Sequence, residues 1–352
     1  MALTRQVAPF CNLPFLFVST LLFLQLLAQF IFMGVQWLTS FFVSEIYRMA
    51  SLHPFISFFF LCTMRGRNIS VNGFFLCLFL SVSQSHFILV ETGLFNDPFE
   101  MLFVYLAIYL LLKKRMTWSL LAFSAAVSVK MSALLYAPGA LLVFLSQIGL
   151  KKTIISAIPA VALQIVVGLP FLLTFPWPYL SRSYEFSRTF HWFLSHNWKF
   201  LPEEIFNSRI FHACLLALHL SFLAMFAYRK GWFRLNLNEP GEAVYCMFVG
   251  NLVGMAFSRS LHYSFYLWYM YTLPFMLVHR AGKLEYWHSL FLLVIEICWN
   301  QWTKYDPLNI PKSCASWKAS LVLTCCHMLF LAYLLTEQQV RKSLLPTSQK
   351  QF

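Results

Sequence analysis

The chain has 352 residues, 59% of them hydrophobic and 11% charged, with a net charge of +13. Soluble globular chains carry about 25% charged residues, and a sphere of this size cannot hide so much apolar surface, including 39 Phe, 15 Tyr and 11 Trp, from water. That excludes a soluble enzyme, a nucleic-acid binder and a disulfide-stapled secreted module, and predicts an all-α polytopic bundle of transmembrane helices in the lipid bilayer.

Apolar runs predict spans over residues 12–38, 48–64, 72–91, 98–112, 116–129, 131–147, 153–175, 208–228, 243–257, 263–278, 287–300 and 317–335. Several are shorter than the roughly 20 residues of a straight span, so about 11–12 spans are expected, one or two of them re-entrant. Basic residues cluster in alternate connections: Arg5; Arg65 and Arg67; Lys113, Lys114 and Arg115; Lys151 and Lys152; Arg229, Lys230 and Arg234; Arg280 and Lys283; Arg341, Lys342 and Lys350. The positive-inside rule makes that side cytoplasmic, with both termini on it. Residues 1–336 read as one transmembrane domain and 337–352 as a polar cytoplasmic tail.

No cleavable leader is expected, because the first apolar run lacks a small-x-small site and further spans follow. The nine Cys include no Cys-x-x-Cys pair. Cys62, Cys77, Cys214, Cys246, Cys298, Cys325 and Cys326 lie in or beside apolar runs and read as small buried hydrophobes. Asn68-Ile69-Ser70 is a glycosylation sequon on the cytoplasmic side of this topology, where it stays unmodified. The longest connection on the far side, about 176–207, carries Trp177, Tyr179, Tyr184, Phe186, Phe190, Trp192, Trp198 and Phe200. So aromatic a loop suits the headgroup region.

Topology does not explain the remaining cations: Arg48, Lys130, Arg182, Arg188, Lys199, Arg209, Arg259, Lys304, Lys312 and Lys318. The sequence places these on the far side or within the bilayer, and they direct the search for a site. The chain has two Asp, Asp97 and Asp306, so an Asp-x-Asp metal clamp for a nucleotide-sugar is absent, as are a Gly-rich phosphate loop and a His-Glu-x-x-His pair. Asp97 precedes Pro98 at the start of an apolar run, with Asn96 before it and Glu91 and Glu100 flanking it. It suits either a helix cap or a carboxylate facing the bundle interior. Lys130 stands between two apolar helices and either snorkels to the interface or binds a lipid-linked phosphate. Arg259-Ser260-Leu261-His262-Tyr263 leads into Ser264-Phe265-Tyr266-Leu267-Trp268-Tyr269. An aromatic belt with a snorkelling Arg, or a phosphate and sugar site, fits that pattern. Arg188, Asn197 and Trp198 sit in the aromatic loop, and Glu296 in an apolar span reads as a helix-to-helix hydrogen bond or ion pair.

These segments resemble the multispanning lipid-donor glycosyltransferases of GT-C type, and among them the alpha-1,3-mannosyltransferases that use dolichyl-phosphate-mannose. The match rests on residues 93–98, 127–131, 179–183, 197–203 and the long run 257–269, in order and spacing from about 90 to 300. The pattern also departs in places. The run 30–34 resembles the stretch that follows a long, acid-bearing lumenal loop in the family, so the chain is expected to lack that loop, with Glu45 the nearest acid. Gln84, Ser85 and His86 occupy the neighbourhood of the family's Arg and His, and Ser132 stands where the family often has Asn.

The resemblance implies an endoplasmic-reticulum membrane enzyme with its active side lumenal. It would move mannose from dolichyl-phosphate-mannose to a dolichol-diphosphate-linked oligosaccharide, with inversion and with neither metal nor cofactor. Arg259 and Lys130 are then the phosphate-binding candidates. Asn96, Arg188, Asn197, Trp198, His262, Tyr263 and Tyr266 are candidates for substrate binding, and Asp97 is the available acid. A catalytically impaired relative that binds dolichol-linked substrates, and a lipid-linked sugar transporter, stay open as alternatives.

Overall fold

The computed structural model describes residues 13–52, 96–183, 189–233, 237–281, 285–299 and 316–336. Every regular element among them is helical. In chain order they are α1 (Leu13–Met49), α2 (Asp97–Leu112), α3 (Met116–Val129), a 3-10 turn (Met131–Tyr136), α4 (Ala137–Thr174), α5 (Pro176–Ser183), α6 (Glu203–Phe206), α7 (Arg209–Arg229), α8 (Pro240–Ala256), a second 3-10 turn (Tyr263–Trp268), α9 (Thr272–Ala281), α10 (Tyr286–Trp299) and α11 (Trp317–Thr336). Four stretches among the described residues are long and apolar enough to cross a membrane: Leu27–Met49, Met131–Thr174, Arg209–Arg229 and Trp317–Thr336. Shorter apolar helices accompany them at Met116–Val129 and Tyr286–Trp299. The large side chains that α4 leaves exposed, such as Ile158, Val166 and Leu173, suit contact with lipid.

The centre of the bundle is α8, where Gly241 and every residue from Ala243 to Ala256 are buried. Small residues let its neighbours approach closely. A Cβ on Gly139 would fall 2.7 Å from the Cys246 carbonyl oxygen, and one on Gly254 would fall 2.7 Å from Leu135 Cδ2.

The bundle has two chemically different ends. At one, Lys114 Nζ donates to Gln147 Oε1 (3.0 Å), Gln147 Nε2 donates to the Leu237 carbonyl (2.8 Å), and Leu237 N–H donates to Ser146 Oγ (3.0 Å). These bonds gather the α2–α3 connection, the middle of α4 and the start of α8, with the basic residues Lys113–Arg115 and Lys151–Lys152. At Gly149 (φ 74°) the backbone leaves the helix, dividing α4 into two rods. The second rod then runs back along α3, where Ser124 Oγ donates to the Ala160 carbonyl (2.6 Å) and Gln164 Nε2 donates to Ser128 Oγ (2.9 Å).

Three expectations from the sequence change. The first helix does not stop near residue 38 but continues to Met49. Its end lies beside the start of α8, where a Cβ on Gly241 would sit 3.3 Å from the Ala50 carbonyl oxygen. Arg48, paired with Glu45 at 2.6 Å, therefore belongs to the basic end and not to the far side. The run 263–278 is not one helix, because residues 263–268 form a 3-10 turn and α9 starts at Thr272. Tyr136 Oη and Asn251 Nδ2 both donate to the Trp268 carbonyl (2.7 and 3.0 Å), supplying it with donors from outside its own helix. Cys214 and Cys325 are exposed, while Cys246, Cys298 and Cys326 are buried as expected.

The spans expected at 72–91 and across most of 48–64, the sequon at 68–70, Cys62, Cys77, Glu91, Asp306 and the tail 337–352 lie outside the described residues.

Candidate active site at the end of the bundle opposite the basic loops

The site begins where α2 begins. Asn96 precedes the helix and Pro98 occupies its first turn, where a missing N–H costs no helical bond. Asn96 Nδ2 reaches across to donate to the Val129 carbonyl (3.1 Å), tying the start of α2 to the end of α3. Asp97 is thus the first helical residue and not the cap, and no side-chain cap bond is made at this terminus. Its carboxylate turns inward and is buried.

One carboxylate oxygen of Asp97 accepts two donors. Lys130 Nζ lies 2.7 Å from Oδ1, and Trp268 Nε1 donates to the same atom at 2.7 Å. Lys130 is aimed by its backbone, which leaves α3 for an extended conformation (φ −159°, ψ 134°) just before the 3-10 turn. Its ammonium also sits over the rings of Phe265 (4.5 Å) and Trp268 (5.0 Å), which stack on each other at 3.9 Å. Asp97 Oδ2 has no hydrogen-bond partner among the described residues.

A second cation stands on the next connection. Arg259 follows the end of α8, and its guanidinium lies over the Phe190 ring at 4.7 Å. Partial burial lowers its pKa from the ordinary value, yet a guanidinium retains its charge. His262, three residues on, is half-buried beside Ser264, with Nδ1 3.4 Å from Oγ. Burial pulls its pKa from 6.5 down to about 4, against the opposing pull of Asp97. At neutral pH it is therefore an uncharged imidazole, able to donate through one nitrogen and accept through the other.

The loop that bears Arg259 is held by residues 195–198. Asn197 Nδ2 donates to the Ser258 carbonyl (2.6 Å), and Asn197 Oδ1 accepts from Leu261 N–H (2.8 Å) and Ser195 Oγ (2.7 Å). Trp198 Nε1 donates to the same Ser258 carbonyl (2.8 Å), and His196 N–H donates to the Leu261 carbonyl (2.7 Å). Trp198 adopts φ 58°, a left-handed conformation costly for an aromatic residue and maintained here by its bonds. Lys199 is buried, its Nζ donating to the Phe193 carbonyl (2.6 Å). Tyr266 is buried as well, its hydroxyl donating to Glu296 Oε2 at 2.5 Å, so the acid in the apolar span bonds to the second 3-10 turn and not to another long helix.

The structure thus brings Asp97, Lys130, Asn96, Arg259, His262, Asn197, Trp198 and Tyr266 to one end of the bundle. Arg188 lies outside the described residues, as does the side chain of Tyr263, whose backbone opens the second 3-10 turn. Two participants are given no role by the sequence. Trp268 is hidden in an aromatic run, where its one signal is that a buried indole N–H needs an acceptor. Glu100 lies one turn after Asp97 on the same helix face, fully buried, and accepts from Ser132 Oγ at 2.5 Å. Among the described residues, no group of three His, Cys, Asp or Glu side chains is placed to hold a metal ion.

Residues 24–306 match the family model described as "ALG3 protein". The chain belongs to the ALG3 protein family. It is 37% identical to the mouse Dol-P-Man:Man(5)GlcNAc(2)-PP-Dol alpha-1,3-mannosyltransferase, over 91% of this chain and 71% of the mouse one. The human protein of the same name is also 37% identical, over 88% of this chain and 68% of its own length. The Arabidopsis thaliana protein is 36% identical over 68% and 58% respectively. The residues of this site fall inside the stretch that the family model covers. No solved structure matches the chain.

Proposed function

We propose that this chain transfers mannose from dolichyl-phosphate-mannose to dolichol-diphosphate-linked Man5GlcNAc2, forming an alpha-1,3 bond at the lumenal face of the endoplasmic reticulum membrane. The observation that carries the proposal is the 37% identity over 91% of the chain with a relative bearing that activity in its name. The chemistry at the far end of the bundle supports it. A lipid donor of this kind leaves a single phosphate, whose charge Arg or Lys can balance without a metal. Arg259 presents a guanidinium on a loop fixed by Asn197 and Trp198, and is the donor-phosphate ligand in this reading. Lys130 shares its charge between Asp97 and the incoming phosphate, so it orients as much as it neutralises. His262 offers a neutral hydrogen-bonding edge to a sugar hydroxyl. Asp97, whose Oδ2 has no partner among the described residues, is the available acid for a hydroxyl of the acceptor. Asn96, Tyr266, Asn197 and Trp198 hold these groups in place. In-line attack by the acceptor hydroxyl on the anomeric carbon breaks that carbon's bond to the phosphate oxygen and inverts it; dolichyl phosphate leaves against Arg259 and Lys130, and the hydroxyl proton passes to a carboxylate, for which Asp97 is the available acid.

The test is a transfer assay on the purified full-length chain in detergent or liposomes. It uses dolichyl-phosphate-mannose and Man5GlcNAc2-diphosphate-dolichol, with the lipid-linked product sized and its new linkage digested by an alpha-1,3-specific mannosidase. A six-mannose, mannosidase-sensitive product is expected. Intact, folded protein that yields none overturns the assignment. Movement of the lipid-linked sugar across vesicles without bond formation would identify a transporter instead.

A further inference from the structure

The buried acid below Asp97 has no role in the chemistry above. Glu100 is fully buried one turn along α2, and Ser132 Oγ donates to its Oε1 at 2.5 Å. Its other oxygen, Oε2, is buried without a partner among the described residues. A buried acid is costly unless it secures something else. What it holds is the first turn after Lys130. The Ala133 N–H bonds back to the Lys130 carbonyl at 3.4 Å and also faces the Glu100 carboxyl, so Glu100 meets this turn through both Ser132 and the backbone that follows it. The Ser132–Glu100 bond attaches that turn to α2 two residues from Lys130. The Lys130–Asp97 bond attaches the same strand of chain to the same helix one turn earlier. Two rungs thus join α2 to the segment after α3, and the lower rung sets where the upper one falls.

We infer that Glu100 is a positioning residue: through Ser132 it fixes the turn that carries Lys130, and so holds that ammonium against Asp97 and over Phe265 and Trp268. The importance of Lys130 to lipid-phosphate binding rests on the proposed function above, but the rung itself does not.

The experiment measures the acylation rate of Lys130 by an amine-reactive reagent on the purified, folded full-length chain, with peptides quantified by mass spectrometry. Ammonium groups held in an ion pair react slowly. Glu100→Ala and Ser132→Ala should each speed labelling of Lys130 about fivefold, as for one lost hydrogen bond. The double variant should be no faster than either single one, because both remove the same rung. Glu100→Gln keeps an acceptor oxygen for Ser132 and should label at the native rate, a rescue that simple loss of packing would not give. Lys113 and Lys114, at the other end of the bundle, report any general loosening. Unchanged labelling of Lys130 in both alanine variants overturns the inference, as does strict additivity in the double variant or failure of the Gln rescue. None of these outcomes depends on transfer activity. A chain that transfers no mannose would refute the proposed function and leave the labelling result standing.

Discussion

Lys130 and Trp268, 138 positions apart in the sequence, donate to the same oxygen of Asp97, each at 2.7 Å. That shared acceptor joins the start of α2, the end of α3 and the second 3-10 turn at one point. Trp268 is fixed from both sides: its carbonyl accepts from Tyr136 and Asn251, and its indole ring stacks on Phe265. The ion pair is therefore part of the packing of the bundle as well as part of its candidate site.

Asp97→Ala should consequently destabilise the fold, because it strands a partly buried ammonium and an indole donor. The expected loss is about 3 kcal/mol. Thermal unfolding in detergent should show a lower Tm, and the double variant Asp97→Ala with Lys130→Met should recover part of it, since no unpaired charge then remains. Equal losses in the single and double variants would show that the pair contributes nothing as a pair.

Arg259→Ala should lower Tm less than Asp97→Ala does, since the guanidinium is partly exposed, but should lower kcat/KM for the lipid donor by about 10²-fold. Arg259→Lys retains a charge without the planar fork and should fall between the two. Native activity in the Ala variant would remove Arg259 from phosphate binding.

Much of this architecture is legible in the sequence. The apolar runs at 98–112, 116–129, 208–228 and 317–335 become α2, α3, α7 and α11 within two residues at each end, because hydrophobic length decides a membrane helix. Asp97, Lys130 and Arg259 stand out because charges are costly there. Composition does not reveal which charges neutralise one another. The Lys130–Asp97 pair spans 33 residues and the Trp268 donor arrives from 171 away. The run 263–278 misleads because its aromatic residues satisfy any hydropathy window, whereas external donors to the Trp268 carbonyl decide its conformation. Asn197 and Trp198 look like surface groups of an interfacial loop, yet their polar atoms are used by the 258–261 segment.

The titration of His262 gives a pH dependence of stability. Its pKa drops from 6.5 when unfolded to about 4 when folded, first through burial. Between those values the unfolded chain binds a proton that the folded chain does not, so stability is full above about pH 6.5 and falls as the pH drops towards 4. His196, lowered to about 3 mainly by burial, acts in the same direction. Tm measured from pH 7 to pH 4.5 should decline, and His262→Gln should make that decline shallower without abolishing it, since His196 remains. An unchanged acid slope in His262→Gln would show that His262 is not the group responsible.

Close helix contact makes Gly139 sensitive to a single methyl group. An added Cβ would meet the Cys246 carbonyl oxygen and Met247 Cα at 2.7 Å, and both belong to the α8 backbone, so no flexible side chain can yield. Gly139→Ala should cost about 1–3 kcal/mol. Gly34→Ala, where nothing among the described residues lies within 4 Å, should be neutral or slightly stabilising in the same unfolding assay. Equal Tm values for the two variants would mean that α4 and α8 are not so closely packed.

The Asn197 clamp ties fold to site most directly. Its amide makes one bond to Ser258, one to Leu261 and one to Ser195, so it fixes both sides of the loop that carries Arg259. Asn197→Ala removes all three and leaves the Leu261 N–H without its acceptor. The expected loss is about 2–3 kcal/mol, most of it local to the two loops. Limited proteolysis should then cut within 189–201 or 257–262 faster than in the native chain, while α8 and α4 remain protected. Donor KM should rise in parallel, because Arg259 would sample more positions, and Asn197→Asp should restore the acceptor for Leu261 but not the donor to Ser258. A protease pattern and donor KM that both match the native chain would show that the 258–261 loop is held by Trp198 and His196 without help from Asn197.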